Sequence, residues 1–202
     1  MLTNLLTVVV LGFVGTRLIT GVRLLGRPDV RARWWTIVHG LRPRHFAMAP
    51  PVLVGVLTTA TLLLQVPGLD FGWWTAIGGL GNPVTGGTTA TANTPLEWII
   101  PALFLVLLTP ALPLFAEAEE RVFRQGAEHW SRPRRFRRVV EFGLAHALIG
   151  IPIGVALALS VGGAYFMWRY LNGGIAESTR AHLAYNMEVV IIVVIVLIAG
   201  AA

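Results

Sequence analysis

The chain predicts an all-α polytopic membrane protein, and three observations carry that reading. It is 55% hydrophobic and only 13% charged over 202 residues, with a mean hydropathy of +0.69, too apolar for an ordinary soluble domain. Its apolar residues gather in runs of about 20, the length that crosses a ~30 Å hydrocarbon core as a helix. All sixteen basic residues are arginines clustered beside those runs, the pattern of cytoplasmic loops flanking membrane spans. A formal charge of +6 and a pI near 11.2 would suggest nucleic-acid binding in a soluble chain, but arginines placed at span ends exclude it here. With no cysteine, disulfides, thiolate nucleophiles and cysteine metal sites are excluded as well.

The first span runs from about Leu2 to Leu25 and carries Asn4, together with Arg17 and Arg23, whose stems can snorkel. Positive charge follows this run rather than preceding it, unlike a secretory signal, so the N-terminus is expected outside. Gly26 to His45 holds Arg27, Arg31, Arg33, Arg42 and Arg44 with Trp34-Trp35 suited to the headgroup belt, and reads as cytoplasmic, with His39 and His45 interfacial rather than ligands. Phe46 to Val66 is the second span, its start marked by Pro50-Pro51. Pro67 to Pro95 is rich in Gly, Thr and Asn and free of arginine, an extracytoplasmic loop with a dip expected at Phe71 to Leu80. No Gly-Lys-Ser/Thr follows its glycines, so it is not a phosphate loop.

The third span begins near Trp98 and passes Pro101, Pro110 and Pro113, the last two able to bend it. At helical rise, Trp98 to Glu119 covers ~31 Å and brings Glu119 to the cytoplasmic face. Arginines from Arg121 to Arg138 hold the next segment inside, with a turn at Trp130-Ser131-Arg132-Pro133. Arg134 to Leu171 is too long for one span and is interrupted by Gly150-Ile151-Pro152-Ile153-Gly154. It predicts a re-entrant-like pair, a short helix entering from the cytoplasm and a second returning, which keeps every arginine inside. His146, ~12 Å beyond Arg138, then lies in the membrane near its inner side. The last helix starts around Glu177, carries His182 and Asn186, and ends outside. Residues 1–94 thus form an N-terminal two-span region and 95–202 a helical core whose cavity opens to the cytoplasm.

Three motifs are expected to meet at one depth. An ionisable cluster at a helix mouth, Glu117 to Arg124, is costly unless paired, hydrated or used. Glu120 and Arg124 share a face one turn apart, leaving Glu119 to point elsewhere, and His182 and Asn186 are likewise one turn apart. A carboxylate to activate water, a histidine and separate donors for an oxyanion are the parts of an amide hydrolase. Singly, each motif has an ordinary reading: an ion-pair network for the Glu/Arg cluster, a hydrogen-bonded packing residue for His146, interhelical bonds for His182 and Asn186. Arg180 beside His182 disfavours an imidazolium and could attract a substrate carboxylate. Glu188 lies two residues past Asn186 on another face, either a neutralising partner or an interhelical bond.

Together, Glu119-Glu120-Arg121-Val122-Phe123-Arg124-Gln125, Phe142-Gly143-Leu144-Ala145-His146, and Asn172-Gly173-Gly174-Ile175-Ala176 followed by His182 to Asn186 resemble the CAAX protease and bacteriocin-processing family. These are intramembrane endopeptidases that include the type II CAAX-prenyl proteases. The resemblance covers about Pro95 to Leu197 and departs from the family pattern at Gln125, Ala176-Glu177 and Arg180. It implies that Glu119 and His146 activate the attacking water, that His182 and Asn186 stabilise the oxyanion, and that Glu120 and Arg124 support them. Two histidines and a carboxylate could hold zinc, but an amide at Asn186 is a poor zinc ligand and a good oxyanion donor, so the metal-free chemistry is favoured. The implied partners are the lipid bilayer and a membrane-associated peptide or protein substrate. Two other classes compete: a non-proteolytic subunit that binds a peptide, lipid-like or protein partner in the same cavity, and, more weakly, a small transporter, for which no inverted repeat is visible.

Overall fold

Why the chain turns where it does is settled by proline and glycine at the helix ends. The computed structural model describes the backbone of residues 2–72 and 95–201 and, away from the stretches 2–11, 95–102 and 196–201, their side chains. The expected loop beyond Gly72, with its dip toward Leu80, and the Trp98 anchor lie outside the described residues. The described residues are helical throughout, in six α-helices: α1 Leu2–Leu24, α2 Pro28–His39, α3 Pro43–Leu63, α4 Pro95–Arg124, α5 Arg132–Ala145 and α6 Ile153–Ala201. Pro28, Pro43 and Pro133 stand in the first turns of α2, α3 and α5, where a missing N–H costs nothing.

One element starts elsewhere than the sequence suggested. The second span begins at Pro43, and Pro50-Pro51 lie inside α3 rather than at its start. The helix is nucleated earlier because the Arg42 N–H donates to His45 Nδ1 at 2.9 Å, filling one orphan donor of the first turn. His45 is therefore not interfacial: it is wholly buried, and its Nε2 lies 3.2 Å from Glu177 on α6. His39 remains exposed, packed against Trp35. α4 is continuous across Pro110 and Pro113, and the Pro110 carbonyl accepts the Trp34 indole N–H at 2.8 Å, docking α2 on α4.

The 134–171 stretch is divided into two helices at Gly150-Ile151-Pro152. α5 is short, 14 residues, and is followed by a 3-10 turn, His146–Ile149, capped by Gly150 at φ 92°, a conformation that glycine adopts freely. The returning limb of α6, 153–173, is longer than a re-entrant stub: it covers ~31 Å, the length of α3. Its N-terminus is tied to the loop after α3, with Ile153 N–H on the Phe71 carbonyl at 2.9 Å and Gly154 N–H on Leu69 at 2.7 Å.

α6 then reverses. Gly174 has φ 70° and ψ −168°, a region almost closed to other residues. In a straight helix Phe166 and His182 would lie ~24 Å apart, yet their rings stack at 4.3 Å, so 175–201 folds back along 153–173 as a helical hairpin. The last helix thus starts beside Glu177, as expected. The largest core cluster joins Ala49, Val56 and Ala60 of α3, Phe142 of α5, and Ala158, Phe166, Ala181 and Tyr185 of the hairpin. Small residues permit this closeness: a Cβ on Gly143 would run into the Ala156 carbonyl and come within 2.9 Å of the Ser160 nitrogen.

Among the described residues, two helices are long and apolar enough to cross a membrane, Pro43–Leu63 and, within α6, Ile153–Ile195. Large apolar side chains such as Val54, Leu57, Val106, Leu148 and Ile191 point outward from the bundle.

Candidate functional site

Glu119 and Glu120 are adjacent on α4, and the helical turn of about 100° between neighbours sends them to different environments. Glu120 goes inward and is completely buried. A lone carboxylate there would be prohibitively costly, and it is compensated on three sides. Arg124, one turn on and itself 1% exposed, donates through Nη1 at 2.6 Å. His182 Nδ1 lies 2.9 Å from the same oxygen. The other oxygen receives a short hydrogen bond from the Ser178 hydroxyl, which also sits 2.9 Å from the Phe166 carbonyl and gives its single proton to one acceptor at a time. The Arg124 guanidinium is further seated over the Phe142 ring, 4.5 Å from its centroid, and donates to the Gly163 carbonyl at 3.3 Å.

His182 is clamped from all sides. Its ring stacks on Phe166 at 4.3 Å and meets the edge of Phe142 at 5.6 Å. Because an ionised carboxylate only accepts, Nδ1 carries the proton toward Glu120 and Nε2 is the working atom. Nε2 faces Glu119 Oε2 at 3.7 Å, beyond direct hydrogen-bond reach but within the span of a slight rotation. Glu119 itself is 40% exposed at its side chain, so it can hold water where Glu120 cannot.

Of the six residues singled out from the sequence, Glu119, Glu120, Arg124 and His182 are brought together. His146 stands one ring away: its Nδ1 donates to the Phe142 carbonyl at 2.9 Å, which leaves Nε2 with the lone pair in the neutral ring, and it packs on Phe142 at 5.2 Å. Phe142 thus separates the imidazoles of His146 and His182, and no hydrogen bond or ion pair joins His146 to Glu119 among the described residues. Asn186, half-buried one turn beyond His182, makes no side-chain hydrogen bond to a described residue and keeps its amide free. Glu188 likewise forms no described ion pair, neither neutralising Asn186's surroundings nor bonding a neighbouring helix.

Glu117 faces a different direction, held by Arg121 at 2.7 Å and by Arg33 of α2 at 3.0 Å. Two cavities open at the arginine-rich end. One, about 250 Å³, is bordered by Arg44, Arg169, Arg180 and Glu177; the other, about 200 Å³, by Arg33, Arg121, Arg180, Glu117 and Thr179. Neither is lined by Glu119, His146, His182 or Asn186.

The donor set as arranged does not fit zinc, which needs nitrogens and oxygens at ~2.0–2.2 Å from one point. Among the described residues no three His, Asp or Glu side chains gather closely enough to hold a metal, and Nδ1 of both His146 and His182 is already engaged.

Sequence reasoning missed Ser178, although it stands one helical turn before His182 and so shares its face, and it missed the aromatic clamp of Phe142 and Phe166, whose roles depend on the α6 hairpin. It also placed Glu120 only with Arg124, whereas Glu120 is the group that orients His182. Comparison with protein-family models, with curated proteins and with solved structures finds no match.

Proposed function

We propose that the chain is a multi-pass intramembrane endopeptidase that hydrolyses a peptide bond of a membrane-associated peptide or protein near the cytoplasmic face of the cell membrane. The observation that carries this reading is the line from buried Arg124 through Glu120 and His182 to half-exposed Glu119, with a 3.7 Å gap before the last carboxylate. A buried acid that fixes one nitrogen of an imidazole, and an exposed acid opposite the other nitrogen, are the parts of a preorganised water-activating site.

In the proposed reaction Glu119 removes a proton from water as its oxygen attacks the scissile carbonyl carbon. The carbonyl oxygen becomes an oxyanion, met by His182 and by the free Asn186 amide. Collapse breaks the C–N bond, and the leaving nitrogen takes the proton held by Glu119. His146, whose ring packs on Phe142 with Nε2 free, assists the proton transfers. The family resemblance assigns the same roles to the same residues, and the apolar exterior and the two membrane-length helices agree with a bilayer location.

The test is proteolysis of the host's membrane peptides by purified protein in detergent, comparing wild type with Glu119→Ala and His146→Ala, with and without a chelator. New termini that disappear in both variants and survive chelation support the mechanism. Loss on chelation restored by zinc replaces it with metal chemistry, and identical peptide maps for all three proteins reject proteolysis. A second reading, a non-proteolytic membrane subunit binding a peptide, lipid-like or protein partner, is favoured by one observation: the described contacts of His146 are to Phe142 alone.

A further inference from the structure

The charge left over at the arginine-rich end lies in the residues around Arg180. In the 200 Å³ cavity, Arg33 and Arg121 share the single carboxylate of Glu117. In the adjoining 250 Å³ cavity, Arg44 and Arg169 converge on Glu177, which the buried His45 meets from behind the lining. Arg180 lines both cavities, pairs with no described carboxylate, and keeps its Nε buried without a hydrogen-bond partner. Next to it Thr179, 1% exposed, borders the 200 Å³ cavity with an Oγ1 that also has no partner. An unpaired cation and an unsatisfied buried hydroxyl at one cavity are costly features, and one ligand removes both costs: an oxyanion that accepts from the guanidinium and the hydroxyl together.

We propose that this cavity seats the phosphate group of an anionic phospholipid from the inner leaflet. Guanidinium forks match phosphate oxygens in pairs, and one water takes about 30 Å³, so a 200 Å³ space admits a phosphate with part of its glycerol. The inference rests on the membrane orientation given above, which puts the arginine-rich end among cytoplasmic headgroups where anionic lipids concentrate. It does not depend on proteolysis. Gly40, the residue that ends α2, makes room for the Arg180 side chain, because a Cβ there would overlap the guanidinium. With φ −81° and ψ −5°, Gly40 has a backbone that alanine also adopts, so Gly40→Ala displaces Arg180 without changing any charge.

The experiment uses the full chain in a neutral detergent and measures binding of dioctanoyl phosphatidylglycerol, with dioctanoyl phosphatidylcholine and inorganic phosphate as the other probes. Saturable binding of phosphatidylglycerol is expected, weakened about tenfold by Arg180→Ala and severalfold by Gly40→Ala, and unchanged by Arg137→Ala, an exposed arginine paired with Glu141. Should Arg180→Ala fail to fold, Arg180→Lys and Gly40→Ala carry the test. Equal binding of phosphatidylcholine, or equal weakening by Arg137→Ala, overturns the proposal. Inorganic phosphate bound as tightly as the lipid also overturns it, in favour of a free-phosphate site. Because binding is read without peptide cleavage, a protein that binds lipid but cleaves nothing separates failure of the endopeptidase reading from failure of this one.

Discussion

Removing one partner of the Glu120–Arg124 pair tests whether the centre of the bundle is electrostatically closed. Both side chains are essentially without solvent access, 0% for Glu120 and 1% for Arg124. Arg124→Met leaves a buried carboxylate facing only His182 and Ser178, and Glu120→Gln leaves a buried guanidinium that has lost the carboxylate in contact with it, with only the half-exposed Glu119 as counter-charge. Breaking such a pair costs about 3–5 kcal/mol, which at 2–4 °C per kcal/mol for a chain of this size predicts a Tm lower by roughly 6–20 °C. The double variant Glu120→Gln/Arg124→Met carries no buried charge, and its amide oxygen accepts from His182 while its NH2 faces the Ser178 oxygen, whose proton can turn to the Phe166 carbonyl, so it is expected to be more stable than either single variant. Glu141→Gln, which breaks the surface ion pairs of Glu141 with Arg137 and Arg138, should lower the Tm far less than either buried single variant. The assay is thermal unfolding in detergent of the four variants and wild type, read as a double-mutant cycle. A double variant as damaged as the sum of the singles, or single variants no worse than Glu141→Gln, would refute the reasoning.

Three further outcomes follow from local geometry. Gly143→Ala should destabilise the fold by about 1–3 kcal/mol, because the new methyl meets backbone of α6 that cannot swing aside; unfolding like wild type would show that the α5–α6 crossing is not close. Ser178→Ala should lower stability by about 1.5–3 kcal/mol, the worth of a hydrogen bond to a charged group, and reduce turnover less than Glu119→Ala does; an equal loss of turnover would move Ser178 into the chemistry. Tyr170 donates its hydroxyl proton to Glu128 at 2.7 Å in the turn between α4 and α5, and that bond holds the Glu128 carboxyl below its ordinary 4.5. A lowered folded-state value means a stabilising contribution that is complete above the ordinary pKa and is lost as pH falls through the folded one. Stability measured from pH 6 down to 3 should therefore decline less steeply in Tyr170→Phe than in wild type, and parallel curves would remove the coupling.

Helical periodicity, glycine and proline were enough to read a helical chain, a break at Gly150-Ile151-Pro152 between two helices, and a last helix beginning beside Glu177. These are local matters: apolar runs set lengths, and glycine and proline set ends. The pairings Glu120 with Arg124 and His182 near Asn186 are local in the same sense, because 3.6 residues per turn put residues four apart on one face. His45 was misread because an isolated histidine among arginines looks interfacial; what buries it is Glu177, more than a hundred residues later.

The sequence by itself determined the helical character of the elements and which neighbours share a face, since each depends on interactions within a few residues. Only the tertiary structure decided that Gly174 folds α6 into a hairpin, that Phe166 thereby stacks on His182, that Glu120 rather than Glu119 takes the His182 Nδ1, and that Arg180 is left without a partner. Those outcomes depend on which helices meet and at what rotation, a choice made by summed packing of small residues such as Gly143, Ala156 and Ala181 across separate helices, and no single stretch of chain encodes it.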